Sequence, residues 1–292
     1  MKEKVLIVTL VDWSKSFVDQ NGSFYSGTTV SQKKNAASAT EVADMVIFNT
    51  DLHPTTSEEN AINGGLYPAH NIGGFWRYGP EFVYFVTPAG KELLLGTKTM
   101  SPELTAEIQA ALRNRKAAII VPRDVYYQSG TKKPWISPRD VERTFGGKVV
   151  SLRAFLRGDQ TYVIAPKQYF DATRLDSDVT LPSKRHPGIP AINYNVYSIL
   201  AKKFPKEDFE LVFVNTGVVE GICRLHTSIG LRQMFKSSRV INLTDATTPL
   251  VGEGLGFGTA QQSRDAYVRV CKDVGVEYMT TAKFLRAFGK RR

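Results

Sequence analysis

The chain has 292 residues, 42% of them hydrophobic, enough to bury one large core or a single domain with a substantial insertion. No stretch approaches the roughly 18–20 apolar residues of a membrane span, and two cysteines, Cys223 and Cys271, are too few for a disulfide framework, so the cytoplasm is the expected compartment. The net charge of +10 invites a polyanionic partner, but the basic residues are scattered (Lys33–Lys34, Arg113 to Lys116, Lys132–Lys133, Lys290 to Arg292), which suits solvated surface better than a nucleic-acid interface.

In chain order, the N-terminus runs straight into the apolar run Val5–Val11, which predicts a strand over Lys4–Val11 and argues against a signal peptide. Asn21–Lys34 is polar and rich in Gly and Ser, the composition of a loop near a pocket mouth. A strand follows over Asp44–Asn49. The region 81–158 reads as an insertion elaborating one domain that spans 1–292. It carries a strand at Ala117–Val121 and helices over Ser101–Arg115 and Ser137–Phe145, with Pro134, Pro138, Gly146 and Gly147 as breakers. Next come a strand at Thr161–Ala165, a helix at Ile192–Phe204, a strand at Glu210–Asn215 and a helix at Ile222–Phe235. The chain closes with a strand at Arg239–Leu243, a helix at Thr259–Val274 capped by Gly275, a strand at Glu277–Thr280 and a helix at Thr281–Phe288. Strands alternating with helices predict a three-layer α/β/α fold around a mostly parallel sheet.

Reactive side chains fall where these strands end: Asp12, then Asp51 with His53, then Lys167, then Cys223. Ligands bind beyond the carboxyl ends of strands in open α/β sheets, so one shared pocket and an enzyme are expected. Cys223 opens a helix, where the dipole favours the thiolate and the loop amides can face an oxyanion. A lone cysteine there is also, and more commonly, a small buried hydrophobe. His226, one turn on, reads as a surface or packing histidine rather than half of a Cys–His pair, because helical neighbours point outward side by side. Asp51 and His53, two apart on an extended segment, point the same way, and His70 can complete a metal face with open positions. Turn-capping and surface roles are the alternatives for these three.

Several of these segments together resemble a known family. Val11-Asp12-Trp13-Ser14-Lys15-Ser16-Phe17 resembles the V-D-x-Q-x-D-F strand end of the isochorismatase-like cysteine hydrolases. Asn49-Thr50-Asp51-Leu52-His53-Pro54 resembles the T-R-D-W-H-P motif of the nicotinamidases in that superfamily, and Tyr67-Pro68-Ala69-His70 their W-P-x-H. Gly217-Val218-Val219-Glu220-Gly221-Ile222-Cys223 is similar to the nucleophile loop G-x-A-T-D-x-C, and Val163 to Lys167 to a V-I-x-K segment. The motifs occur in family order.

The resemblance implies an isochorismatase-like fold and conversion of nicotinamide to nicotinate and ammonia through a cysteine thioester. It assigns Cys223 as nucleophile, Asp12 as general acid/base and Lys167 as the catalytic lysine, with Arg123 as a rival for the last. Asp51, His53 and His70 become ligands of a divalent ion, zinc first, with iron or manganese also suited to the set. It also implies a cis bond between Val218 and Val219, with the Val219 and Cys223 amides as oxyanion hole. Phe17, Tyr67 and Tyr169 fall at ring-stacking positions, where core packing is the alternative for each. A small-molecule amide substrate and a homo-oligomer are expected partners, without a membrane. Trp13-Ser14, Tyr67, Asn71 and Glu220-Gly221 depart from the family pattern, so the pocket rim and the substrate can differ. A superfamily hydrolase of another amide, or a non-catalytic basic binding module, are the alternative functions.

Overall fold

The computed structural model describes residues 2–53, 61–68, 70–71, 84–86, 92–94, 117–119, 149–150, 152–167, 169–174, 195–249 and 259–289. The strands are β1 (Glu3–Val11), β2 (Met45–Asp51), β3 (Tyr84–Val86), β4 (Glu92–Leu94), β5 (Ala117–Ile119), β6 (Tyr162–Lys167), β7 (Phe209–Val218), β8 (Arg239–Thr248) and β9 (Glu277–Met279). The helices are α1 (Lys15–Val18), α2 (Val30–Glu41), α3 (Leu152–Arg157), α4 (Val196–Lys203), α5 (Cys223–Met234), α6 (Ala260–Asp273) and α7 (Thr281–Phe288). Seven strands form one parallel sheet in the order β5-β6-β2-β1-β7-β8-β9. β3 and β4 make a separate antiparallel pair.

Strand alternation builds the three layers. Leu6, Val8, Leu10, Phe48 and Val214 face a core completed by the alanines of α2 and by Phe284 and Phe288 of α7. Val5, Ile7, Ile47, Val163 and Phe213 face the other core, with Phe155 of α3, Val196 to Leu200 of α4, Leu231 of α5 and Cys271 of α6. Central strands buried on both faces explain the continuous apolar runs of β1 and β2. Among the described residues, no helix is long and apolar enough to cross a membrane.

Several elements differ from the sequence expectations. Residues 30–34 lie in a helix, α2, rather than in the loop expected over Asn21–Lys34. The helix starts with a capping box, in which Gln32 N–H donates to Thr29 Oγ1 at 3.2 Å and Thr29 N–H donates to Gln32 Oε1 at 2.8 Å. Its core face is made of small residues, Ala36, Ala37 and Ala39, so no apolar periodicity advertises it. α3 was not expected either. β7 and β8 run on through Val218 and Thr248, because Asn215 and Thr216 and the Thr244-Asp245 segment are polar residues inside strands. β5 lies on the edge of the main sheet beside β6. The helices expected at Ser101–Arg115 and Ser137–Phe145, Arg123, and most of 81–158 lie outside the described residues.

Gly217 sits where β1 and β7 approach beside the strand ends, opposite Val11. Its φ is +118°, and a Cβ there would lie 2.0 Å from the Val11 carbonyl oxygen. Gly217→Ala is therefore expected to cost about 3 kcal/mol or more, from strained backbone plus a steric clash with main chain. Thermal and urea unfolding of the variant check this; a loss below about 1 kcal/mol contradicts it.

Candidate active site

The parallel register puts the ends of β1, β2, β6 and β7 side by side: Val11 pairs Asn49 and Gly217, and Asp51 pairs Lys167. Asp12 leaves β1 with φ 53°, a left-handed conformation that aspartate tolerates better than most residues. Its N–H donates to Asn49 O at 2.7 Å and its Oδ1 accepts the Asp51 N–H at 2.9 Å, so the carboxylate is fixed by the neighbouring strand end. Lys167, the last residue of β6, reaches Asp12 Oδ2 at 2.8 Å and also hydrogen-bonds Asp51 Oδ1. The Cys223 sulfur, at the start of α5, lies within 4.8 Å of a carboxylate oxygen of Asp12. The structure thus brings Asp12, Lys167 and Cys223 together, all three buried.

Burial and the Asp51 charge lift the Asp12 carboxyl to about 7, against the opposing pull of Lys167. Burial works against Lys167 as well, but Asp12 and Asp51 outweigh it and hold the ammonium protonated. For Asp51, burial is outweighed by Lys167 and His53, and the carboxyl stays below its usual range. Burial pushes the Cys223 thiol well up, although Lys167 opposes the rise. Burial thus opposes the helix dipole at this thiol, and the Asp12 carboxylate stands beside it to take the proton.

The second constellation also converges. His53 Nε2 and His70 Nε2 lie 3.7 and 3.8 Å from Asp51 Oδ2, the oxygen facing away from Lys167. His70 Nδ1 donates to Pro68 O at 2.6 Å, which fixes its proton on Nδ1 and leaves the Nε2 lone pair to bind a metal. Burial and the neighbouring His53 lower His70 to about 4, so it is neutral, as a metal ligand requires. The ligand atoms of Asp51, His53 and His70 lie within 4.8 Å of one another, and all three residues are buried. One carboxylate and two imidazoles suit zinc, iron or manganese.

Rings wall this site. Phe17 and Phe24 each stand edge-on to His70, at centroid distances of 5.1 and 5.3 Å. Phe24 packs on Tyr67 at 5.7 Å, Tyr67 meets Phe170 edge-on at 6.2 Å, and Phe170 meets His226 at 5.9 Å. Phe17 and Tyr67 of the expected set are therefore brought together. The Arg174 guanidinium covers Tyr169 at 4.1 Å, and the adjacent Phe170 meets Tyr67; both rings are half-buried. Phe24 and Phe170 were missed, and His226 joins the wall as an exposed ring at its outer end.

The loop from β7 to α5 contains a cis peptide bond at Val218–Val219, as the resemblance implied. The Val219 carbonyl accepts from Ile222 and Arg224 N–H at 3.1 and 3.3 Å. Among the described residues no acceptor is recorded for the Val219 or Cys223 N–H, so both donors remain open beside the sulfur.

No protein-family model matches the sequence, and no curated protein sequence matches it. Solved structures do match. PnC1 from L. infantum, in complex with nicotinate, superposes with a TM-score of 0.52 and 12% identity, over 95% of this chain and 93% of its own. A nicotinamidase pyrazinamidase from Acinetobacter baumanii gives a TM-score of 0.51 and 10% identity, over 98% of this chain and 99% of its own. The likeness is one of fold: the chain has the isochorismatase-like α/β fold.

Proposed function

We propose that this chain is a cysteine amidohydrolase acting on a planar aromatic carboxamide of the nicotinamide type. The observation that carries the reading is the buried Asp12–Lys167–Cys223 cluster, with two open loop amides beside the sulfur and a wall of rings nearby. The likeness in fold to a nicotinate complex and to a nicotinamidase supports it.

Asp12 takes the Cys223 proton as sulfur attacks the carboxamide carbon, and the carbonyl electron pair moves onto oxygen. The Val219 and Cys223 N–H groups donate to that oxyanion. Asp12 then passes its proton to nitrogen, the C–N bond breaks, ammonia leaves and a thioester remains. A water, deprotonated by Asp12, attacks the thioester; nicotinate leaves and the sulfur recovers its proton. Throughout, the Lys167 ammonium holds Asp12 and Asp51 in place. A divalent ion held by Asp51, His53 and His70 would supply a Lewis-acid anchor for a pyridine nitrogen. Phe17, Phe24, Tyr67 and Phe170 orient the ring by stacking and exclude water from the thioester.

The test is ammonia release from nicotinamide by the zinc-supplemented protein, with and without chelator. Turnover that falls on chelation and in Asp51→Ala supports the reading. Turnover of other amides only, untouched by chelation, contradicts the nicotinamide assignment. For the ligand set, His70→Ala is expected to weaken zinc binding by more than the about 10–100-fold typical of a lost outer-shell partner. Calorimetric titration with zinc checks it; unchanged affinity rules His70 out.

A further inference from the structure

Glu220 follows Val219, and Arg224 follows Cys223, so these two side chains flank both open amides. Both residues are fully buried. Arg224 Nη2 donates to Glu220 Oε1 at 2.8 Å, one helical turn apart across the bend of the loop. From α6, Arg264 brings Nε within 3.3 Å of Glu220 Oε2 and secures itself by donating Nη2 to Thr244 O at 2.7 Å. The main chain is tied at the same place, with Glu220 N–H donating to Thr248 O at 2.9 Å. The Arg224 guanidinium lies 5.6 Å from the Tyr278 ring centroid, and its Nε and Nη1 have no hydrogen-bond partner among the described residues. Glu220 is thus the only carboxylate paired with this buried cation among the described residues.

A buried ion pair contributes little net stability, because desolvation offsets its Coulombic gain, whereas its geometry is demanding. Here the geometry it fixes is that of the loop carrying the sulfur and both donors. Glu220 and Gly221 are also where the loop departs from the resembled motif. Gly221 leaves room there for the Tyr267 ring of α6, which a Cβ would meet at 2.1 Å. We propose that Glu220 and Arg224, clamped by Arg264, form a positioning device that sets the spacing of the Val219 and Cys223 amides. It governs the rate of turnover rather than substrate affinity. The inference rests on the amidase reading only through its kinetic arm.

Arg264 is about one-third exposed, so its removal strands no buried charge and tests the clamp without unfolding the chain. With nicotinamide as substrate, Arg264→Ala is expected to lower kcat about 10-fold and Glu220→Gln up to about 100-fold, the scale of a misplaced catalytic donor, with KM within about twofold. Arg264→Lys should restore part of the loss. Hydrogen–deuterium exchange of the peptide spanning 217–224 should quicken in Arg264→Ala and Glu220→Gln, with zinc binding unchanged. A raised KM at constant kcat, or unchanged exchange in that peptide, overturns the proposal. If the native protein releases no ammonia, the amidase reading fails, and the exchange measurement still decides whether the clamp exists.

Discussion

Cys223→Ala is expected to remove ammonia release almost completely, by about 10,000-fold or more in kcat, as nucleophile deletions do in hydrolases that work through an acyl intermediate. The loss should not come from unfolding. The side chain is small, and its truncation leaves a cavity of about one atom, worth about 1 kcal/mol. Cys223→Ser should be nearly as inactive, because an Asp12 carboxyl of about 7 is far too weak a base for an aliphatic hydroxyl. Cys271→Ala serves as the control. That thiol is buried mid-helix on α6, among core side chains and with Asn242 Nδ2 3.8 Å away, and its loss should leave kcat intact. A coupled ammonia assay beside a thermal melt separates these outcomes; a Cys223→Ala protein that retains turnover removes the proposed nucleophile.

Lys167→Met should be the most destabilising change at the site. The ammonium lies between two buried carboxylates, 2.8 Å from Asp12 Oδ2 and hydrogen-bonded to Asp51 Oδ1. Taking it away leaves Asp12 and Asp51 facing each other without a cation, and breaking a buried pair costs about 3–5 kcal/mol. The protein escapes part of that cost by keeping Asp12 protonated at neutral pH. That same response removes the proton acceptor and should lower kcat by about 1,000-fold. Lys167→Arg keeps the charge, but its planar fork cannot occupy the position of a compact ammonium without displacing a carboxylate, so only part of the stability should return. Urea unfolding together with kcat checks both parts. A Lys167→Met protein within about 1 kcal/mol of native stability and fully active contradicts the account.

The sequence carried the architecture because each core strand is a dense apolar run and each run ends on a reactive side chain. The apolar run of β1 announced where Asp12 would sit, and the Asp51-Leu52-His53 spacing announced a shared face. What stayed hidden has physical causes. The apolar residues that α2 buries are all alanines, so its pattern lacks the large apolar residues on which periodicity depends. Local sequence does not announce that Phe24 and Phe170 join the ring wall, because their partners Tyr67 and His226 meet them only in the fold. Nor does a helix-start position fix the state of a thiol, since the burial of Cys223 depends on chain segments far away in sequence. The Glu220–Arg224 pair was visible only as a departure from a motif. Its partner Arg264 lies 40 residues beyond Arg224 in the chain and meets it only in the fold.

The account turns on a covalent bond between substrate and one sulfur. Native protein mixed with nicotinamide and quenched in acid within the first turnovers should yield a nicotinoyl adduct on the peptide containing Cys223, and none on that containing Cys271, by mass spectrometry. Ammonia release that proceeds with no acyl group on Cys223, and continues in Cys223→Ala, would contradict it.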